Sequence, residues 1–342
     1  MLPDIKDFTL KELEAGMAEM GEPAFRAAQV FGWIYQRGAR SFEEFTDIPK
    51  SLRGKLAGRY SFGSIELTER RLSADGTEKF LFKLADGQFI ESVLIPAGER
   101  NTVCLSTQVG CKFGCAFCAS GLGGFKRDLR SSEILGQVLF LRDRLNMHLT
   151  NFVFMGMGDP LDNFENTARA ILIMNSARGL GIAARRMTVS TVGIVPGIES
   201  LRNIGLQVNL SLSIHAARDE LRSKLVPINK KYPLERILKA CQDYRQASGR
   251  MLTLEYVLIQ NVNDSPADAE GLARIAARLK AKINLISYSP VGGLEFELPS
   301  KNRVDQFRKR LEEKGANVTL RLSKGLDIQA ACGQLAGRRA AG

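Results

Sequence analysis

The sequence predicts an α/β protein in which a parallel sheet, open or closed into a partial (βα)6 barrel, follows an N-terminal α+β accessory domain. From about residue 100 onward, strand-like apolar segments alternate with helical stretches, the pattern of repeated βα units. Residues 1–96 instead combine helices with three consecutive strand-like segments. A chain of 342 residues suits one large domain and a smaller one. We therefore expect an accessory domain over 1–96 and a core domain over 97–342.

The predicted accessory domain begins with helices. Apolar side chains recur at helical spacing at Ala27, Val30, Phe31, Ile34 and Tyr35. Gly38 is a suitable end for that helix, and a second amphipathic stretch covers 41–58. Strand-like segments at 64–72, 79–87 and 88–96 follow, with Asp-Gly turns at 75–76 and 86–87. The three segments predict a small antiparallel sheet.

The predicted core contains six strand candidates, at 102–107, 151–156, 186–192, 207–215, 252–259 and 283–288. The helical stretches between them lie near 131–146, 165–178, 234–247 and 266–280. A seventh strand candidate, 317–323, follows a helix near 303–314. Because successive strands are joined by helices, the sheet is expected to be parallel.

The strand candidate over 207–215 has one apolar and one polar face. Asn209, Ser211, Ser213 and His215 alternate with four aliphatic residues. A parallel strand covered by helices is normally apolar on both faces, so the polar face predicts a lumen or a binding site. The alternative is an exposed edge strand. In βα barrels, sites gather at the carboxyl ends of the strands, where Ser213 and His215 lie.

Composition and charge describe a folded protein with a basic C-terminal part. The N-terminal residues are too charged for a signal peptide, and no apolar run approaches the eighteen or so residues of a membrane span. We therefore expect a cytoplasmic protein with no membrane association. Residues 1–96 carry 13 lysines and arginines against 15 acidic residues, whereas the remainder carries 35 against 22. RNA phosphates are candidate partners, and a merely solvated basic surface is the alternative.

The cysteines are concentrated in one place. Four of the six, Cys104, Cys111, Cys115 and Cys118, fall within fifteen residues. In a reducing compartment, such crowding points to metal binding or catalysis rather than to a disulfide scaffold. Cys241 lies in a helical stretch and is expected to be packed inside.

Cys111, Cys115 and Cys118 form a C-x3-C-x2-C loop directly after a strand candidate. Three thiolates this close in sequence can hold a compact iron–sulfur centre. Because a 4Fe–4S cluster has four irons, three cysteines leave one iron open to a small molecule. The alternative is structural zinc with Cys104 as fourth ligand, although its six-residue gap exceeds the usual spacing.

The segment over 151–160, NFVFMGMGDP, predicts a buried strand that ends in glycines, which allow a ligand to approach the backbone closely. Together with the cysteine loop it resembles the radical S-adenosylmethionine (SAM) enzymes. More closely, the chain resembles the RlmN/Cfr family of rRNA adenine methyltransferases, and the RlmN branch more than Cfr. The similar segments are ESVLIP at 91–96, CLSTQVGC at 104–111, GFKRDL at 124–129, MGMGDP at 155–160, SIH at 213–215, VPINKK at 226–231 and ACGQL at 331–335.

The resemblance implies a radical SAM barrel whose loop cysteines, Cys111, Cys115 and Cys118, hold one 4Fe–4S cluster per chain. It implies that Cys332 is methylated by one SAM and that a radical from a second SAM activates this methyl group. The resulting methylene radical would add to an adenine carbon and give a protein–RNA adduct. Cys104 would then resolve the adduct through a transient disulfide with Cys332.

Glu91 is implied as the general base. It alternates with Phe89, Val93 and Ile95 along a strand candidate, and an exposed edge-strand glutamate is the alternative from the residues alone. Contacts to SAM are implied for Gly158, Asp159, Ser190, Ser213, Ile214, His215 and Ser289. Two of these depart from the family pattern, because Asp159 stands where RlmN usually has Glu and Ser289 where Asn is common.

The implied substrate is 23S rRNA, and in some relatives tRNA, methylated on carbon 2 of an adenosine. A Cfr-type enzyme acting on carbon 8, which confers antibiotic resistance, is the second hypothesis, and a non-catalytic zinc-bound RNA-binding module is the third. The reaction also requires a cytosolic electron donor. We expect the protein to act as a monomer.

Overall fold

The computed structural model describes residues 2–337, and within them ten strands form one sheet. The order across it is β1-β2-β3-β4-β7-β8-β9-β10-β11-β12, and β5 and β6 pair separately. The strands are β1 Glu66–Leu72, β2 Glu78–Lys83, β3 Phe89–Ala97, β4 Arg100–Cys104, β5 Gln108–Val109, β6 Arg127–Asp128, β7 Asn151–Phe154, β8 Met187–Thr191, β9 Asn209–Ser213, β10 Thr253–Leu258, β11 Lys282–Ser287 and β12 Val318–Arg321.

The helices connect these strands. They are α1 Leu10–Glu19, α2 Phe25–Tyr35, α3 Lys50–Arg59, α4 Ala119–Leu122, α5 Ser131–Leu139, α6 Phe164–Asn175, α7 Val195–Arg202, α8 Asp219–Leu225, α9 Leu234–Ser248, α10 Pro266–Leu279 and α11 Lys301–Glu313. A π-helical turn over Phe140–Arg144 extends α5, so the helix predicted near 131–146 has an irregular final part. Short 3-10 turns occur at Ile5–Asp7, Phe42–Glu44, Ala184–Arg186 and Pro227–Lys230.

The predicted parallel sheet is confirmed. From β4 through β12, every neighbouring pair in the large sheet is parallel. The hydrogen-bonded order runs from β1 to β12 without returning, so over the described residues this is an open, partial barrel. The strand β9 lies between β8 and β10. The alternative of an exposed edge strand for 207–215 is therefore wrong.

The three antiparallel strands predicted for the N-terminal part are also present, as β1, β2 and β3. They do not form a separate sheet, because β3 pairs with β4 and extends the core sheet, with Val93 opposite Cys104. This continuity places Glu91 two residues from the register position of Cys104. The division at 96/97 falls at the end of β3, and the two-domain description remains a prediction. Residues 1 and 338–342 lie outside the described part.

Local sequence signals account for the helix ends. Thr9 and Glu12 form a capping box at the start of α1, and Ser265 and Asp268 form another at α10. The helix α2 buries all five residues at the predicted helical spacing. Cys241 lies in α9 and is fully buried, as expected. No helix within residues 2–337 has the length and apolar character to cross a membrane.

Candidate active site

A cavity of about 140 Å³ lies at the carboxyl ends of the parallel strands β7 to β11. We call it the thiol cavity, because four cysteines line it: Cys111, Cys115, Cys118 and Cys332. The other predicted site residues on its wall are Gly158, Asp159, Ser190, Ser213 and His215. The cysteine loop and the polar face of β9, far apart in the chain, therefore meet at one site. The lumen predicted from the β9 pattern is confirmed.

The cysteine loop runs between the β5 strand and the short helix α4. The amide of Cys118 donates to the carbonyl of Cys115 at 3.1 Å, and the Ala116 amide donates to the Leu225 carbonyl at 2.9 Å. Burial raises the pKa of Cys111 to about 12 and also raises the pKa of Cys115 and Cys118. Metal coordination deprotonates such thiols, so binding a cluster releases protons.

The donor set fits an iron–sulfur cluster. The three loop thiols share the wall of one cavity, with Ser190, Ser213 and His215 on the same wall. Three sulfur donors facing a cavity with polar side chains are what an iron–sulfur cluster and a polar ligand on its open iron require.

The glycines after β7 serve the packing of the protein itself. A Cβ atom at Gly156 would lie 2.7 Å from the backbone nitrogen of Ser106, and one at Gly158 would lie 2.4 Å from the Gln108 Cβ. Gly158 also has a φ of +89°, which side-chain-bearing residues rarely adopt. Glycine is therefore needed at these positions for the packing of the protein itself, because the segment after β4 already occupies the adjacent space. This reason adds to the expectation that the glycines allow a ligand to approach.

Asp159 is buried and fully engaged by the protein. Its Oδ2 accepts hydrogen bonds from the Thr191 hydroxyl at 2.9 Å and the Val192 amide at 2.7 Å, and its Oδ1 accepts from the Leu161 amide at 2.9 Å. Desolvation raises the pKa of Asp159 to about 6 despite these bonds. The carboxylate thus fixes the end of β8 to the loop after β7. Its predicted contact with SAM stays a prediction.

His215 follows β9 with a strained backbone, at a φ of +54°. Its Nδ1 accepts a hydrogen bond from the Val257 amide at 3.1 Å, so the ring proton is assigned to Nε2. Burial, and then the charge of Arg222, lowers the pKa of His215 to about 3. The ring is therefore neutral and offers one N–H donor at the wall of the thiol cavity.

Ser190 and Ser213 lie side by side, with their hydroxyl oxygens 3.3 Å apart. Two other residues with predicted SAM contacts, Ile214 and Ser289, contact other parts of the protein. The Ile214 side chain is buried in the hydrophobic core, and the buried Ser289 hydroxyl pairs with the Ser323 hydroxyl at 3.1 Å. Neither residue is among those lining the thiol cavity. Their roles in SAM binding remain predictions without direct geometric support.

Cys332 is exposed on the wall of the thiol cavity, and Cys104 is buried at the end of β4. Burial raises the pKa of Cys104 to about 12, and the nearby Cys332 thiol contributes in the same direction. Both thiols are free. The transient disulfide between them stays a prediction.

The segment over 331–337, which carries Cys332, is held against the start of helix α4, directly after the cysteine loop. The Ala119 amide donates to the Gly333 carbonyl at 2.7 Å, and the Ser120 hydroxyl donates to the Leu335 carbonyl at 2.7 Å. We call these seven residues the Cys332 segment. Its N-terminal part lines the thiol cavity, whereas Gln334 and Ala336 line a second cavity.

The second cavity, the Glu91 cavity, has a volume of about 570 Å³ and is lined by polar and apolar residues in similar measure. Glu91 is 2% exposed, so the alternative of an exposed edge-strand glutamate is wrong. Its Oε2 accepts hydrogen bonds from the amides of Ala336 and Gly337, at 2.7 and 2.9 Å. The Cys332 segment therefore separates the two cavities and touches the predicted base.

Sequence reasoning missed Glu255, a carboxylate inside β10 that lines the thiol cavity. Its Oε1 accepts hydrogen bonds from Asn284 at 2.9 Å and Ser211 at 3.3 Å, while its Oε2 has no hydrogen-bond partner. Arg321 lies 3.9 Å from that oxygen. The signal was present, because a charged residue interrupts the apolar segment LTLEYVLI.

Comparison with known proteins gives consistent results over the whole chain. Residues 105–273 match the radical SAM superfamily, and residues 3–61 match the ribosomal RNA large subunit methyltransferase N-terminal domain. Proteins from Akkermansia muciniphila and Gemmatimonas aurantiaca, both named probable dual-specificity RNA methyltransferase RlmN, are 45% and 47% identical to this chain. Each alignment covers 98% of this chain, and 95% and 93% of the respective relative.

A solved structure has the same fold. The crystal structure of a radical SAM methyltransferase from Sphaerobacter thermophilus matches with a TM-score of 0.92 and 43% identity. The match covers 98% of this chain and all of the other chain. The expected radical SAM α/β fold with an N-terminal accessory region is therefore confirmed.

Proposed function

This chain belongs to the RlmN family of radical SAM RNA methyltransferases, and on that premise we propose that it methylates carbon 2 of an adenosine in 23S rRNA and in tRNA. The observation that carries the proposal is the place of Cys332, which lines the same cavity as the three loop cysteines, while Gln334 and Ala336 just after it line the cavity that contains Glu91. The name of the relatives, dual-specificity RNA methyltransferase, supports two classes of RNA substrate.

The radical SAM superfamily uses a 4Fe–4S cluster and SAM. Cys111, Cys115 and Cys118 would hold the cluster through their sulfur atoms. When bound, the cluster supplies the electron that cleaves SAM. Ser190, Ser213 and the Nε2–H of His215 offer hydrogen-bond partners for SAM at the same wall. The rings of Phe117 and His215 pack edge to face, with their centroids 4.7 Å apart, and this contact helps to fix the orientation of that donor.

Cys332 would carry the methyl group, because it is the cysteine of the thiol cavity that lies outside the C-x3-C-x2-C loop. Its methyl carbon would lose one hydrogen atom to the deoxyadenosyl radical derived from SAM and would then bond to carbon 2 of an adenine that has left its stack to reach the protein. The adduct would give up one electron to the oxidised cluster, and Glu91 would accept the proton that leaves carbon 2. Cys104 would attack the Cys332 sulfur and break its bond to carbon, leaving a Cys104–Cys332 disulfide, and the released carbon would take up a proton to become the methyl group of the base.

The same proposal includes three further points. A cytoplasmic reductant supplies the electron for the cluster and reduces the disulfide after each turnover. The enzyme works as a monomer, in the cytoplasm, where ribosomes and tRNA are found. The positive charge of the chain beyond residue 96 supports binding to RNA phosphates.

Nucleoside mass spectrometry tests the proposal. Ribosomal RNA and tRNA would be isolated separately from a strain lacking this protein, and from the same strain supplied with wild-type protein or with Cys332→Ser. We expect 2-methyladenosine in both RNA fractions with the wild type and in neither fraction with the variant. Finding 8-methyladenosine would instead support the Cfr-type reaction, and 2-methyladenosine in rRNA alone would remove tRNA from the proposal.

A further inference from the structure

Lys79 is a buried lysine next to the predicted base. Its side chain is 10% exposed and that of Glu91 is 3% exposed, and the Lys79 Nζ lies 3.0 Å from the Glu91 Oε1. The two residues lie on neighbouring strands, β2 and β3, where Lys79 is opposite Val93 and Glu91 is opposite Leu81. Both side chains line the Glu91 cavity. An ammonium group is costly to bury without a partner, so this ion pair is a specific feature of the site.

The same ammonium group also contacts the chain that leads to Cys332. The Lys79 Nζ donates a hydrogen bond to the carbonyl oxygen of Gln329 at 3.2 Å. Gln329 adopts a left-handed backbone conformation, with a φ of +54°, three residues before Cys332. A strained conformation persists where surrounding contacts hold it, and the Lys79 hydrogen bond is one such contact. Lys79 therefore connects Glu91 with the approach to Cys332.

The second oxygen of the Glu91 carboxylate is bound by backbone amides. Its Oε2 accepts from the amides of Ala336 and Gly337, so each oxygen of the carboxylate has donors. The other charged residues that line the Glu91 cavity are Glu69 and Arg71, and these two form an ion pair with each other. Among the described residues that line this cavity, Lys79 is thus the cation paired with Glu91.

We propose that Lys79 is a positioning residue for methyl transfer to RNA, which holds the Glu91 carboxylate in place relative to Cys332. This proposal rests on the proposed function, in which Glu91 accepts a proton from the adenine bound to Cys332. The 3.0 Å contact of the Lys79 Nζ with the Glu91 Oε1 fixes one oxygen of that carboxylate. The contact with Gln329 keeps the base and the methyl-carrying segment at a fixed separation. Methylation of Cys332 itself, which needs no proton acceptor at the adenine, does not depend on Lys79.

The test compares Lys79→Met, Lys79→Arg and, as a matched control, Lys83→Met, which changes an exposed lysine on the same strand. Two quantities are measured for each purified, cluster-loaded protein: the extent of Cys332 methylation by peptide mass spectrometry, and the rate of adenosine methylation. For Lys79→Met we expect normal Cys332 methylation and an RNA methylation rate reduced by about 10- to 100-fold, a part of what a positioned base supplies.

Lys79→Arg should recover most of the rate, and Lys83→Met should match the wild type. A wild-type rate of RNA methylation in Lys79→Met would overturn the proposal. An equal loss of Cys332 methylation and RNA methylation, in a protein with unchanged thermal stability, would also overturn it. If Lys79→Met does not fold, Lys79→Gln takes its place, because it keeps a donor for Gln329 without the charge. The outcomes that would overturn the proposal for Lys79→Met then apply to Lys79→Gln. A wild-type protein that methylates Cys332 but forms no methyladenosine would overturn the proposed function and this role together.

Discussion

The side chain of Asp327, five residues before Cys332, accepts a hydrogen bond from the hydroxyl of Ser73 at 2.6 Å. Ser73 begins the turn between β1 and β2, and the Ala74 amide donates to the other oxygen of Asp327 at 3.1 Å. In the same turn, Asp75 accepts from the Gly325 amide at 3.0 Å. The hairpin of the N-terminal region thus holds the chain that delivers Cys332.

Desolvation alone would raise the pKa of Asp75, but hydrogen bonds from Thr77 and from the Gly325 amide outweigh it and lower the pKa to about 2. Asp75 is therefore charged at every pH at which the enzyme would be assayed. The contact between Asp75 and the Gly325 amide consequently remains available across that range.

Replacing Asp327 with Ala should loosen the chain ahead of Cys332. The variant loses the acceptor for both Ser73 and the Ala74 amide, so we expect faster hydrogen exchange over 324–330 and a several-fold slower methylation of RNA. Hydrogen-exchange mass spectrometry and a methylation assay measure the two effects. Asp305→Ala, which removes an exposed carboxylate on α11, is the control and should change neither. Unchanged exchange in Asp327→Ala would show that this contact does not hold the segment.

Replacing Cys104 with Ala should trap the reaction after RNA becomes attached. If Cys104 releases the base, the purified variant will carry RNA covalently linked through Cys332, because the sulfur that would displace it is missing. Nuclease digestion followed by peptide mass spectrometry identifies the linkage. Cys241→Ala is the matched control, since it removes another buried thiol, at a stability cost on the order of 1 kcal/mol, and should carry no RNA. A Cys104→Ala protein free of RNA would contradict the assigned role.

Asp159→Asn should weaken the loop that forms one wall of the thiol cavity. An amide offers one acceptor oxygen where the carboxylate accepts three hydrogen bonds, so buried donors lose partners at a cost of roughly 1–3 kcal/mol. We expect a Tm lower by several degrees and weaker SAM binding, measured by thermal unfolding and equilibrium dialysis. Glu165→Gln, an exposed change on the neighbouring helix α6, serves as the control. Equal Tm values for the two variants would count against this role of Asp159.

His215 should remain neutral from pH 5.5 to pH 8. Because burial and Arg222 lower the pKa of His215 to about 3, against an unfolded value near 6.5, the group favours the folded state above that value. This contribution to stability is lost as the pH falls from about 6.5 toward 3. The chain has two histidines, so ¹⁵N spectra of the wild type and of His148→Gln assign the His215 signals. A His215 ring that titrates between pH 5.5 and 8 would contradict the buried hydrogen-bonded arrangement.

Much of the fold could be predicted because local patterns report it. The alternation of apolar and polar residues along β9 predicted the lumen, and the helical spacing in α2 predicted its buried face. The helices α1, α4, α7 and α8, which have between 4 and 10 residues, were missed. Such helices depend on tertiary packing more than on their own periodicity.

The environment of Glu91 could not be predicted, because its partners are remote in the chain. The amides of Ala336 and Gly337 lie about 245 residues away from it in sequence, and nothing in an amide identifies its acceptor beforehand. The prediction of the roles of Gly156 and Gly158 was likewise incomplete, since a sequence does not reveal that Ser106 and Gln108 fill the adjacent space. Nothing in the sequence distinguished Lys79 from the other lysines, because its contacts depend on the fold.

The fate of the Cys332 methyl group tests the central claim most directly. Protein made in unlabelled cells, with Cys332 already methylated, would be mixed with RNA and with SAM carrying a trideuterated methyl group, and the first turnover would be analysed by nucleoside mass spectrometry. If Cys332 carries the transferred carbon, the first 2-methyladenosine contains an unlabelled methyl group and the label appears only in later turnovers. Deuterium in the methyl group of the first product would show that the carbon never passes through Cys332.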